Sequence, residues 1–137
     1  MTEWKTPDSY GYVIEVDPER IYDGDTLRCD IDLGCWTWIK NESIRLLGIN
    51  APERRGKTKE DGLQARAFLQ ELVTTYGEPK VGSGSQVIYR LMVYTQKDKA
   101  GKYGRLLGVL WGDDGNGNRV NLNEKMIDGG HAVHYGA

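Results

Sequence analysis

After an Asp23-Gly24 turn signal the chain reads Leu27-Arg28-Cys29-Asp30-Ile31-Asp32-Leu33, apolar and polar residues in strict alternation. Period two over seven residues puts Leu27, Cys29, Ile31 and Leu33 on one face and the charges on the other, as in a half-buried strand. The neighbouring segments supply its partners. Gly11–Asp17 reads as a first strand with Tyr12, Ile14 and Val16 on one face. Cys35–Ile49 is a third strand-rich stretch: Trp36 and Trp38 alternate, Lys40-Asn41-Glu42 breaks the run, and Ile44, Leu46 and Leu47 resume it. Arg45 therefore faces away from Ile44 and Leu46. Gly48 permits a bulge or a close backbone approach, and Pro52 ends the strand.

The second half changes period. Arg54–Gly62 is a polar, basic loop, and Leu63–Tyr76 has a helical repeat with Leu63, Ala67, Leu69, Leu72, Val73 and Tyr76 on one face. Gly77 and Pro79 stop it. Ser85–Thr95, rich in β-branched and aromatic residues, pairs with Arg105–Gly112 across a turn, and Asp113–Asn118 is a further turn. Leu122–Gly130 reads as a short helix, with Asn121 as N-cap and Glu124 close to a capping-box pattern. The order is three strands, a helix, two strands and a short helix. The economical closure is an α+β fold, a five-stranded OB-fold-like β-barrel with two packed helices, which protects the sheet edges. One domain over 1–137, with a core of about 11–133, is expected.

Composition narrows the function. The net charge of -2 argues against a general nucleic-acid coating protein, but it hides a segregation. Residues 1–20 carry net -3, 40–59 net +4 and 97–105 net +3, so a positive field can focus on one face. Two cysteines, Cys29 and Cys35, are too few for a disulfide framework, and free thiols are expected. The N-terminus has no signal-peptide pattern, and no stretch approaches the ~20 apolar residues of a membrane span. A cytoplasmic location is therefore expected.

Three pieces can carry chemistry. Asp23-Gly24-Asp25-Thr26 sets two acids about one glycine, a pattern that a plain turn also uses. Arg45–Glu53 is a core strand that releases Asn50 and Glu53 about Pro52. Lys102–Arg105 puts an arginine at a strand start after a basic turn. Carboxylates and an amide oxygen suit a hard cation, two arginines suit a phosphoryl group, and a further carboxylate can activate water. Spacing alone does not bring the pieces together. His131 and His134 lack further ligands for zinc. Trp36 and Trp38 can stack on bases, but sheet packing is the commoner use of such residues.

Val16–Leu27, Ile44–Glu53, Gly62–Val73, Lys97–Trp111 and Val120–Val133, in that order, resemble the blocks of the staphylococcal-nuclease-like (thermonuclease) family. The resemblance covers roughly Tyr12 to Val133. It implies a nuclease that hydrolyses DNA and/or RNA with little sequence preference, leaving a 3′-phosphate and a 5′-hydroxyl in the best-known members. By the same resemblance one calcium ion is held by Asp25, Asn50 and the Ala51 carbonyl, with magnesium or manganese as alternatives. Glu53 activates water, and Arg45 and Arg105 contact the phosphate. Lys102 and Tyr103 match the run before the second arginine. Arg54, Arg55, Lys57 and Lys59 would hold the nucleic-acid backbone. The chain most resembles phage-borne or bacterial stand-alone members, with no obligate protein partner implied. Two positions depart from the pattern: Asn50 replaces an aspartate, and Ala51 replaces a hydroxyl-bearing residue. The other readings are a non-catalytic OB-type module that binds nucleic acid or protein, and a structural component of a larger assembly.

Overall fold

The computed structural model of the chain describes residues 10–82, 84, 86–97 and 106–136. Its strands are β1 (Tyr10–Val16), β2 (Ile21–Asp23), β3 (Thr26–Asp32), β4 (Trp38–Leu46), β5 (Ile49–Asn50), β6 (Glu78–Val81), β7 (Val87–Lys97), β8 (Leu106–Asp113), β9 (Arg119–Asn121) and β10 (Val133–His134). Two helices, α1 (Lys59–Tyr76) and α2 (Leu122–Asp128), complete it.

Five of the strands close on themselves in the order β1–β3–β4–β8–β7 and back to β1. All neighbours in the ring are antiparallel except β4 and β8, which run parallel with Arg45 opposite Leu107. This is the expected OB-fold-like barrel. The inward faces of β1, β3 and β4 supply Ile14, Val16, Leu27, Cys29, Ile31, Ile44 and Leu46, all buried. From the helices come Ala65, Leu69, Leu72, Val73, Leu122 and Met126. Each buried Leu or Ile contributes about 1.5–3 kcal/mol relative to an exposed one. Burial pushes the Cys29 thiol up to about 12, helped by the nearby Asp30 and Glu42 charges. Both cysteines are free.

Several expectations need correction. Leu33 is 41% exposed, because β3 ends at Asp32, whose carboxylate turns to accept the Gly34 N–H. Trp36 is not sheet packing: it stands 97% exposed at the β3–β4 hairpin tip, in a left-handed conformation with φ 60°. Trp38 is half-buried with the Lys40 ammonium over its ring at 4.9 Å. The basic segment is not all loop. A single 3-10 turn at Gly56–Thr58 leads into α1, which begins at Lys59. Glu60 and Asp61 in its first turn favour this start, since acids stabilise the positive end of a helix. On α1, Leu63 and Ala67 are exposed, and Gly62 and Ala65 pack inward instead. Pro79 does end the helix but also sits in β6, an edge strand, where its missing N–H costs no ladder bond. Neither described helix is long and apolar enough to cross a membrane.

Candidate active site

Asp25 lies in the tight turn between β2 and β3, where its backbone carbonyl accepts the Leu46 N–H at 2.8 Å. That bond sets the turn against the end of β4. The Asp25 carboxylate is buried there and bonded at both oxygens. Oδ1 accepts the Thr26 hydroxyl at 3.0 Å. Oδ2 accepts the Ala51 N–H at 2.8 Å and pairs with Arg45 Nη1 at 2.9 Å. Arg45 reaches this point because alternation on β4 turns it outward, opposite Thr26 on β3. Its Nη2 donates to the Ile49 carbonyl and to Asn50 Oδ1, each at 3.3 Å. The structure thus joins Asp25, Arg45, Asn50 and Ala51, which are up to 26 positions apart, in one network.

The turn that allows this is Leu47-Gly48. Gly48 has φ +81° with open space where a Cβ would lie. It is therefore needed for a left-handed turn, not for a close approach. The turn redirects the chain into β5, whose Asn50 and Ile49 pair with Val133 and His134 of β10.

Glu53 stands apart from the network. Its side chain is 74% exposed, with Arg55 Nε 4.0 Å away. Its backbone is nevertheless fixed. The Thr58 hydroxyl donates to the Glu53 carbonyl at 2.8 Å, and Gly62 of α1 packs directly on that same carbonyl. A Cβ at residue 62 would overlap backbone, which cannot yield as a flexible side chain can. Gly62→Ala is expected to cost about 1–3 kcal/mol, a typical cost of overpacking. It should also displace the Glu53 peptide. A urea midpoint and an amide spectrum unchanged at Glu53 would refute that role for the glycine.

Arg54 is half-buried and pairs with Asp23 at 3.3 Å, so it braces the loop to β2. Arg55, Lys57 and Lys59 are exposed. Arg105, Lys102 and Tyr103 lie outside the described residues.

Two contributors escaped the sequence reading. Asn123 on α2 is buried, accepts the Leu110 N–H at 3.1 Å, and donates to the Leu47 and Gly108 carbonyls at 2.9 and 3.1 Å. It fastens α2 to the turn that carries the site. The available signal was an amide inside an otherwise apolar helix face. Tyr135 donates its N–H to the Gly48 carbonyl at 2.9 Å and sets its ring 5.5 Å from the Arg45 guanidinium. No local pattern marks that contact, which arises from β5–β10 pairing.

The donors suit a hard cation in kind: the Asp25 carboxylate, the Asn50 amide oxygen and the Ala51 carbonyl are all oxygens. Among the described residues no group of three His, Cys, Asp or Glu side chains gathers to hold a metal. The set carries one negative charge, and the Arg45 guanidinium already touches two of the side-chain oxygens. The fit is thus to a weakly held, oxygen-seeking cation.

No curated protein matches the chain. The family model for the staphylococcal nuclease homologue matches residues 43–137, from within β4 to the last residue. The matched span contains Arg45, Asn50, Ala51 and Glu53, and the fold adds Asp25 from outside it. With well over half of its length matched, on a barrel of the expected kind, the chain belongs to the staphylococcal nuclease homologue family.

Proposed function

We propose that the chain is a metal-dependent phosphodiester hydrolase acting on DNA and/or RNA with little sequence preference. The observation that carries this reading is the network of Arg45, Asn50 and Ala51 about the buried Asp25 carboxylate at the rim of the barrel. Asp25, Asn50 and the Ala51 carbonyl would hold calcium, with magnesium or manganese as alternatives. The bound cation would polarise the phosphoryl oxygen and offset the charge that builds on it. Arg45, held as a fork by its partners, presents planar donors of the geometry a phosphate needs. Arg105 is the proposed second clamp. Glu53 takes a proton from the attacking water as the new P–O bond forms and the bond to the leaving 5′-oxygen breaks. Arg55, Lys57 and Lys59 are exposed beside Glu53 and would hold neighbouring phosphates without reading bases.

A second reading, an OB-type module that binds nucleic acid without cutting, has its own support. Asp25 is already neutralised by Arg45, while Glu53 faces solvent and shares no contact with it. One assay separates the two. Supercoiled plasmid is incubated with micromolar protein at low salt, with calcium, magnesium, manganese or EDTA. Nicking with a divalent cation and none with EDTA is expected. Intact plasmid in all four, with retarded migration, would sink the hydrolase and favour the module.

A further inference from the structure

Two arginines outside the described network converge on one point of the barrel wall. Arg20 ends the 3-10 turn before β2, and Arg28 lies on β3 on the outward face that also carries Thr26. Arg20 Nη1 donates to Asn41 Oδ1 at 2.9 Å and Arg28 Nη1 to the Asn41 carbonyl at 2.8 Å. Asn41 holds a left-handed backbone, with φ 54°, at the point where they meet. Both arginines line a cleft of about 320 Å³ whose wall also includes Lys40, Lys80 and Gln86.

Two of the three acids of that cleft, Glu15 and Asp30, are already ion-paired. Glu15 pairs with Lys80 at 2.8 Å and with Arg90 at 3.2 Å. Burial alone would raise its pKa, but those two partners hold it below the ordinary value. Asp30 accepts the Asn41 N–H at 2.9 Å and pairs with Lys40 at 3.5 Å. Asp17 accepts the Glu19 N–H at 3.0 Å. Arg20 and Arg28 form no ion pair among the described residues, and each guanidinium keeps donors to spare. Against the one carboxylate without an ion pair, Asp17, the two guanidiniums leave the cleft positive.

Register places the cleft relative to the candidate active site. On the β3–β4 ladder Thr26 faces Arg45 and Arg28 faces Ser43. Both pairs lie on the outer face, since Leu27 and Ile44 between them point into the core. The Arg28 guanidinium is carried farther, to the Asn41 carbonyl four residues along β4 from Arg45, about 13 Å at strand rise, while the Arg45 guanidinium turns the other way to Asp25 and Asn50. That is longer than one step between successive phosphates of an extended strand. Tyr22, 42% exposed on β2, lies in sequence between Arg20 and the Asp23–Asp25 turn.

We propose that Arg20 and Arg28 form a second phosphate subsite. It grips a single-stranded nucleic acid more than one nucleotide from the phosphate at Arg45, with the exposed Tyr22 offering a stacking surface for a base. Stacking on an aromatic ring needs a base free of its duplex, which is why the class is single-stranded. This proposal rests on the hydrolase reading for what lies at Arg45, but its test does not require cleavage.

The test is fluorescence anisotropy of a labelled single-stranded oligonucleotide, and of its duplex, in EDTA from 50 to 200 mM salt. Each lost phosphate contact removes about 0.7 from the slope of log K against log salt on a single strand. The Arg20→Gln, Arg28→Gln double variant is expected to weaken single-strand binding about tenfold or more and to flatten the slope by one contact. Tyr22→Ala should weaken it with the slope unchanged. Arg20→Gln alone, whose partner is an exposed side chain, keeps the test open should the double variant not fold. An unchanged slope and affinity in the folded variants would overturn the subsite. An equal loss on duplex would overturn its single-strand character. If the unmodified protein binds no oligonucleotide, the nucleic-acid reading as a whole fails; if it binds and the variants match it, only the subsite fails.

Discussion

Replacing Asp25 by alanine is expected to cost about 3–5 kcal/mol, the usual penalty for removing one partner of a buried ion pair. The loss has identifiable parts. The Ala51 N–H and the Arg45 guanidinium would both lose their acceptor at a site that is 5% exposed. A buried donor without a partner costs about 1–3 kcal/mol, and a charged one more. Arg45 retains its bonds to the Ile49 carbonyl and Asn50, which holds the figure within that range. Domains of this size have about 5–15 kcal/mol in total, so the variant should stay folded in cold buffer with a much lower urea midpoint. Asp25→Asn keeps an oxygen for the Ala51 N–H and should recover part of the loss, while lacking the charge a cation needs. Both variants should fail to nick plasmid. A stability loss under about 1 kcal/mol for the alanine variant would mean that Arg45 simply swings to solvent, and that the network does not hold the turn against β4.

The barrel could be read from the chain because its strands obey local rules. Leu27, Cys29 and Ile31 alternate and are buried as the pattern requires, and the outward place of Arg45 follows from the same parity. Asn121 caps α2 through the Glu124 N–H at 3.1 Å, again a local bond. The errors fall where tertiary contact outranks pattern. Leu63 lies on the helical repeat yet is exposed, because the N-terminal turns of α1 face the Glu53 backbone, which only Gly62 can approach. Trp36 follows the strand's parity, but a left-handed turn at residues 34–36 takes it out of the sheet. The candidate site was legible as three separate pieces. Joining Asp25 to Arg45 and Ala51 needed the β2–β3 turn to meet the end of β4, and residue spacing cannot encode that meeting.

Asn50→Asp is expected to tighten calcium binding about tenfold to a hundredfold. At 4 Å two unit charges interact by about 4 kcal/mol with an effective dielectric of 20, and a divalent ion doubles the attraction. Most of this is offset at Asn50. The side chain is exposed, so water screens it, and the new carboxylate would also attract Arg45, which already touches Asn50 at 3.3 Å. What survives is the difference between one carboxylate and two about the same ion, and 1.4 kcal/mol already changes affinity tenfold. Calorimetric titration with calcium reads the effect without any cleavage. The calcium needed for half-maximal nicking should fall in parallel, while Arg45 and Glu53 keep their roles. The sign depends on which cation the new charge serves better. If the aspartate variant binds calcium no more tightly, its charge has gone into a closer pair with Arg45, and the guanidinium is then the resident cation of this site. In that event nicking should still require a divalent cation, at an unchanged calcium level, and the asparagine would be the residue that leaves Arg45 free enough to reach a phosphate.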